Sequence, residues 1–126
     1  MSKIFIIDDD VFITRMYERI FRLENHEVLV AHDGEEAIKL LEVMNPPPDL
    51  IALDIMMPKM NGLDLLRKIR TYKELKEVPV VVLTNSFEKE HEKEFSELGV
   101  SLYLVKMENT PKEIVQKLEE VIKIKK

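Results

Sequence analysis

Five short apolar runs punctuate the chain: Ile4-Phe5-Ile6-Ile7, Val28-Leu29-Val30-Ala31, Leu50-Ile51-Ala52-Leu53, Val80-Val81-Val82-Leu83 and Leu102-Tyr103-Leu104-Val105. Their apolar positions are continuous rather than alternating, which predicts strands covered on both faces, as in a parallel sheet. Helical patterns lie between and after them. The first, from about Val11 to Leu23, puts Phe12, Met16, Ile20 and Leu23 on one stripe with Arg15, Arg19 and Arg22 elsewhere. Asn25 follows it and can end a helix in the left-handed conformation. The second runs from about Gly34 to Met44, with Asp33 as cap and Glu36 completing a capping box. Pro46-Pro47-Pro48 then forbids helix. The third begins near Asn61 and carries Leu63, Leu65, Leu66 and Ile69. The fourth starts after Ser86, a good cap, and ends before Gly99. The fifth opens at Thr110-Pro111 with Glu113 closing a second capping box, and carries Ile114, Val115, Leu118, Val121 and Ile122. Strand then helix, five times over, predicts an α/β sandwich: a parallel sheet with helices on both faces.

Length and composition narrow this further. The chain has 126 residues, which suits one domain spanning 1–126. It ends with the fifth helical pattern, so no output domain is expected. With 45% hydrophobic and 34% charged residues it belongs with globular rather than disordered chains. Cys is absent, which excludes disulfides, iron–sulfur clusters and thiol catalysis. Lys plus Arg is 19 against 24 Asp plus Glu, a formal net charge of −5 that argues against direct contact with nucleic acid or an anionic membrane. No apolar run approaches the roughly 18 residues of a membrane span. The short apolar run after Met1-Ser2-Lys3 falls below the length of a signal peptide, so none is expected. A cytoplasmic location is expected.

The polar residues that follow the apolar runs carry the chemistry. The first run leads into Asp8-Asp9-Asp10, the third into Asp54, the fourth into Thr84 and the fifth into Lys106. In a parallel sheet these ends share one edge, and ligands of open α/β sheets bind there, where the strand order reverses. Taken singly each residue has an ordinary explanation: an Asp before a helix is usually a cap, and Asp10 fits that role. Taken together, at four strand ends of one sheet, they predict a crevice of carboxylates with one hydroxyl and one ammonium. Carboxylates so crowded repel one another unless a cation joins them. Mg²⁺ suits the place because it takes oxygen ligands and completes its shell with water and phosphate oxygens. Lys106 supplies a point charge for phosphate. The residues therefore predict a Mg²⁺-dependent phosphoryl site with an Asp as nucleophile.

These motifs, in this order, resemble the receiver domain of bacterial two-component response regulators. The resemblance rests on Ile6-Ile7-Asp8-Asp9-Asp10, Ala31-His32-Asp33-Gly34-Glu35-Glu36-Ala37, the stretch Leu53-Asp54-Ile55-Met56-Met57-Pro58-Lys59-Met60-Asn61-Gly62-Leu63-Asp64, Leu83-Thr84-Asn85, and Gly99 through Lys106. It implies the flavodoxin-like doubly wound fold, five parallel strands in the order 2-1-3-4-5 with five helices. It implies that Asp54 accepts a phosphoryl group from a histidine kinase, a phosphotransfer protein or a small phosphodonor. Asp8 and Asp9 would hold Mg²⁺, or Mn²⁺ in its place, together with Asp54 and the backbone carbonyl of Met56. Lys106 would pair with the phosphoryl group, Thr84 would move to hydrogen-bond it, and Tyr103 would rotate with Thr84. A downstream protein would read the fourth helix, fifth strand and fifth helix.

Three positions depart from the family pattern: Met107 stands where Pro is usual, Asn85 where a small residue is common, and Leu102 where an acidic or small residue is usual. A cis bond before Met costs roughly 2.5–4 kcal/mol against about 0.5–1 before Pro, so a trans Lys106–Met107 bond and a rearranged loop are expected. Met56, Met57 and Met60 read as loop packing, and His26, His32 and His91 as packing or surface residues. The run Glu88 to Glu94 reads as a solvated helix face, and the terminal lysines as partners of the helix dipole. Two other classes share the fold: an interaction module that does not use phosphorylation, and an aspartate-nucleophile phosphohydrolase. The intact acidic set argues against the first, and the lack of a segment to enclose a substrate argues against the second. A flavin binder fits least, because the first loop is rich in Asp rather than in Ser, Thr and Gly.

Overall fold

A computed structural model describes residues 1–57, 60–85 and 92–125. Strands β1 (Lys3–Ile7), β2 (Glu27–Ala31), β3 (Leu50–Asp54), β4 (Val80–Thr84) and β5 (Val100–Val105) alternate with helices α1 (Val11–Leu23), α2 (Gly34–Val43), α3 (Gly62–Ile69), α4 (Glu92–Glu97) and α5 (Pro111–Lys125). All strand pairs are parallel and the sheet order is β2-β1-β3-β4-β5. The order reverses between β1 and β3, so a crevice opens where Asp8 and Asp54 leave the sheet.

Two cores flank the sheet. On one face Phe5, Ile7, Ile51, Leu53 and Val82 pack against α2, α3 and Phe95 of α4. On the other, Ile4, Ile6, Leu50, Ala52 and Leu83 pack against Tyr17 and Phe21 of α1 and Ile114, Val115 and Leu118 of α5. β1, β3 and β4 are covered on both faces, as their continuous apolar runs predict. β2 and β5 are not: they are the edges, and several of their residues are only half-buried. Nothing in an apolar run says which strand is outermost.

The helix stops follow local chemistry. Asp10 Oδ1 accepts from Ile13 N, Asp33 Oδ1 from Glu36 N, and Asn61 Oδ1 from Asp64 N. Thr110 and Glu113 bond reciprocally, a full capping box. Asn25 (φ 67°) and Gly99 (φ 81°) take the left-handed conformation just past α1 and α4. The expected cap Ser86, with Phe87, Glu88-Lys89-Glu90-His91, Pro58, Lys59 and Lys126, lies outside the described residues.

One expectation is overturned. The stripe Phe12, Met16, Ile20, Leu23 is not the buried face of α1: Phe12 is 82% and Leu23 75% exposed. The helix instead buries Thr14, Tyr17 and Phe21. Both stripes have helical spacing, but the second brings two aromatic rings to the sheet and so removes more apolar area from water.

Candidate functional site

Each predicted chemical residue sits where the strand ends put it. Asp54 closes β3, Thr84 closes β4, Asp8 follows β1 directly, and Lys106 follows β5. Asp8 is fully buried, and Asp54 and Thr84 nearly so, while Asp9 is exposed at the mouth. One carboxylate oxygen from each of Asp8, Asp9 and Asp54 lies within 4.8 Å of the other two. Lys106 enters from the side with its side chain only 7% exposed; Nζ is 2.5 Å from Asp8 Oδ2 and 3.6 Å from Asp54 Oδ2.

The backbone fixes these groups. Asp8 N continues the sheet by donating to Ala31 O. Asp8 Oδ1 accepts from Asp10 N (2.9 Å), and Asp54 Oδ1 from Met56 N (3.1 Å). Gly62 lets α3 press onto the strand end that carries Asp54. A Cβ there would meet Ile55 Cα at 2.5 Å and Asp54 O at 2.9 Å, and Gly62 N donates to Ile55 O. That close approach is the physical reason for a glycine eight residues after Asp54.

The electrostatics are those of a site short of positive charge. Burial first, then the neighbouring Asp8 carboxylate, pushes the Asp54 carboxyl up from 3.8 to about 7, although Lys106 pulls it the other way. Tyr17 lies below the cluster, and burial together with Asp8, Asp10 and Asp54 pushes its phenol up. Asp8 Oδ2 is buried, and the Lys106 ammonium is the partner that answers its charge. Among the described residues, three carboxylates against one ammonium leave about two negative charges uncompensated, the deficit that a divalent, oxygen-seeking cation removes. The donor set fits Mg²⁺ or Mn²⁺ on this ground.

An edge-to-face contact joins Tyr103 to Phe95 of α4, with centroids 5.9 Å apart. After β5 the Lys106–Met107 peptide is trans, as expected, and Lys106–Glu108 forms a 3-10 turn. Sequence reasoning did not single out Asn109 and Lys117, which bind this turn, or Arg70. The Arg70 guanidinium donates to the carbonyls of Leu75, Val78, Leu98 and Gly99 and so ties the α3–β4 link to the start of β5. A second cluster, Glu24, His26 and Glu119, joins the end of α1 to α5. His26 Nδ1 accepts from Ser2 N, which leaves its proton on Nε2 to donate to Glu119, so this is a packing histidine as expected.

A family profile described as the response regulator receiver domain matches residues 4–119. The chain belongs to that family. Among curated relatives, this receiver is 36% identical over 123 residues to the transcriptional regulatory protein CpxR of Escherichia coli K12, covering 98% of this chain and 50% of the relative. It thus spans about half the length of the curated relatives it matches. Among solved structures it is similar to the chemotaxis protein CheY4 of Vibrio cholerae, with a TM-score of 0.86, 28% identity, and coverage of 96% of this chain and 98% of that one. It is also similar to an Mn²⁺-bound form of the response regulator Rcp1, with a TM-score of 0.76, 29% identity, and coverage of 97% and 89%. No helix among the described residues is long and apolar enough to cross a membrane.

Proposed function

We propose that this receiver accepts a phosphoryl group on Asp54 and uses the added charge to change its protein contacts. The observation that carries the reading is a buried Asp54 carboxylate packed against Asp8 and within reach of Lys106. Asp54 Oδ2 attacks the phosphorus of a phosphohistidine on a kinase or phosphotransfer protein, or of a small acyl phosphate. The bond from phosphorus to the donor nitrogen or oxygen breaks, its electron pair leaves with the donor, and an aspartyl phosphate remains. Such a transfer needs little covalent chemistry from the protein beyond positioning and charge neutralisation.

Asp8, Asp9, Asp54 and the Met56 carbonyl are the groups that would hold Mg²⁺ or Mn²⁺. Once bound, the ion would neutralise charge developing on the phosphoryl oxygens. The Met56 amide holds the Asp54 carboxylate in place, Lys106 answers its charge from the side, and exposed Asp9 faces the incoming donor. Phosphorylation adds roughly one further negative charge at Asp54. Lys106 and Thr84 gain contacts with that group which the unmodified state lacks, and such differential contact shifts the population. Tyr103, packed on Phe95, carries the change to the surface formed by α4, β5 and α5, where a downstream protein binds.

Incubation with acetyl phosphate and Mg²⁺, followed by intact mass measurement, tests this. A gain of one phosphoryl mass is expected for the wild type, with none for Asp54→Asn or in excess EDTA. Equal labelling of Asp54→Asn would overturn the assignment.

A further inference from the structure

We infer that Asn109 is the positioning residue that aims the Lys106 ammonium at the carboxylate cluster, with Lys117 of α5 as its anchor. The inference rests on the reading of Asp54 as phosphoacceptor. Lys106 needs such support. Its long side chain must deliver Nζ between Asp8 and Asp54, yet its backbone lies at the exit from an edge strand, followed by Met107, whose chain places no ring restraint on the turn.

Asn109 supplies three bonds at this turn. Its side-chain Nδ2 donates to Val105 O at 2.9 Å, and its backbone N donates to Lys106 O at 3.3 Å. Those two carbonyls belong to the peptide units on either side of the Lys106 Cα. Holding both peptide planes fixes the direction of the Cα–Cβ bond, and with it the line along which the side chain enters the site. The third bond locks the amide itself: Lys117 Nζ donates to Asn109 Oδ1 at 2.7 Å. An ammonium only donates and a carbonyl only accepts, so these partners leave the amide one orientation. Lys117 stands on α5 among Ile114, Val115 and Leu118, which are fully buried. A continuous path therefore runs from the core, through Lys117 and Asn109, to the cation of the site.

The test is a double-mutant cycle on the full chain, read two ways. First, the rate of labelling by acetyl phosphate with Mg²⁺ is measured for Asn109→Ala in the wild-type background and in Lys106→Ala. A misaimed group commonly costs one to two orders of magnitude, so about a tenfold loss is expected in the first background. In the second, a less than twofold effect is expected, because Asn109 acts through Lys106. The same fold-loss in both backgrounds would show a merely structural role and overturn the inference. Second, the ¹³Cε and ¹Hε signals of Lys106 are followed by NMR in the metal-free protein. Asn109→Ala should shift them, and so should Asn109→Asp, which keeps an acceptor for Lys117 but loses the donor to Val105 O. Unchanged Lys106 signals in both variants would overturn the inference whether or not the protein takes a phosphoryl group. Absence of labelling in the wild type would count against the proposed function, and the NMR result would still decide this one.

Discussion

Replacing Asp54 by Asn should stabilise the metal-free protein, and the gain should grow with pH. The carboxyl is pushed up from 3.8 to about 7 by burial and by Asp8. Its folded-state pKa is raised, so the unfolded chain loses the proton first. Below about pH 4 the group is neutral in both states and costs nothing. Between about pH 4 and 7 the unfolded state binds fewer protons, so wild-type stability falls as pH rises, and it levels off above 7. At about 1.4 kcal/mol per pH unit the full gap corresponds to about 4 kcal/mol. Relaxation and water entry at the open mouth reduce such penalties, so a realised effect of about 2–4 kcal/mol is expected. Asn keeps an Oδ1 to accept from the Met56 amide and brings no charge to Asp8. With no Trp in the chain, urea unfolding is best followed by far-UV circular dichroism, in EDTA, from pH 4.5 to 8.5. With a urea slope of about 1–3 kcal/mol per molar, the variant's midpoint at pH 8 should lie roughly 1–2 M above that of the wild type. The gap should shrink at pH 4.5 and on adding Mg²⁺. A gap that stays constant with pH, or a wild type more stable at pH 8, would refute the electrostatic account of the site.

Gly62→Ala should lose about 1–3 kcal/mol in the same assay, because the new methyl meets Ile55 Cα and Asp54 O; wild-type stability would show that α3 can back away. Asp9→Ala should weaken Mg²⁺ binding in calorimetry far more than Asp10→Ala, whereas Asp10→Ala should lose about 1 kcal/mol of stability as the cap of α1. Equal losses of affinity would place the acidic run in the wrong register. Thr84→Ala should still accept a phosphoryl group but lose the accompanying NMR shift at Tyr103. An unchanged Tyr103 response would separate the two residues.

The elements and their order were legible because each layer of local chemistry agreed: apolar runs, caps at Asp10, Asp33 and Thr110, and stops at Asn25 and Gly99. The site was legible because a parallel sheet gathers the residues after its strands at one edge, so four separate strand ends identify one place. What stayed hidden depends on tertiary choice. Two stripes of α1 had helical spacing, and only the sheet beneath decided for Tyr17 and Phe21 over Phe12 and Leu23. The apolar runs of β2 and β5 did not mark them as edges. Arg70 looks like any surface arginine until the carbonyls of Leu75, Val78, Leu98 and Gly99 close around it. Asn109 likewise gains a role only from Lys117, eight residues along the chain, and from the turn after Lys106. Met107 in place of Pro was the one sequence signal that this turn needed another support.

The phosphoacceptor, proposed as Asp54, can be located chemically. Acetyl phosphate and Mg²⁺ followed by borohydride reduction converts an aspartyl phosphate to homoserine, which peptide mass spectrometry then locates. Homoserine is expected at position 54 and at no other aspartate. Homoserine at position 8, 9 or 10, or none in a protein that has gained phosphoryl mass, would contradict the proposal.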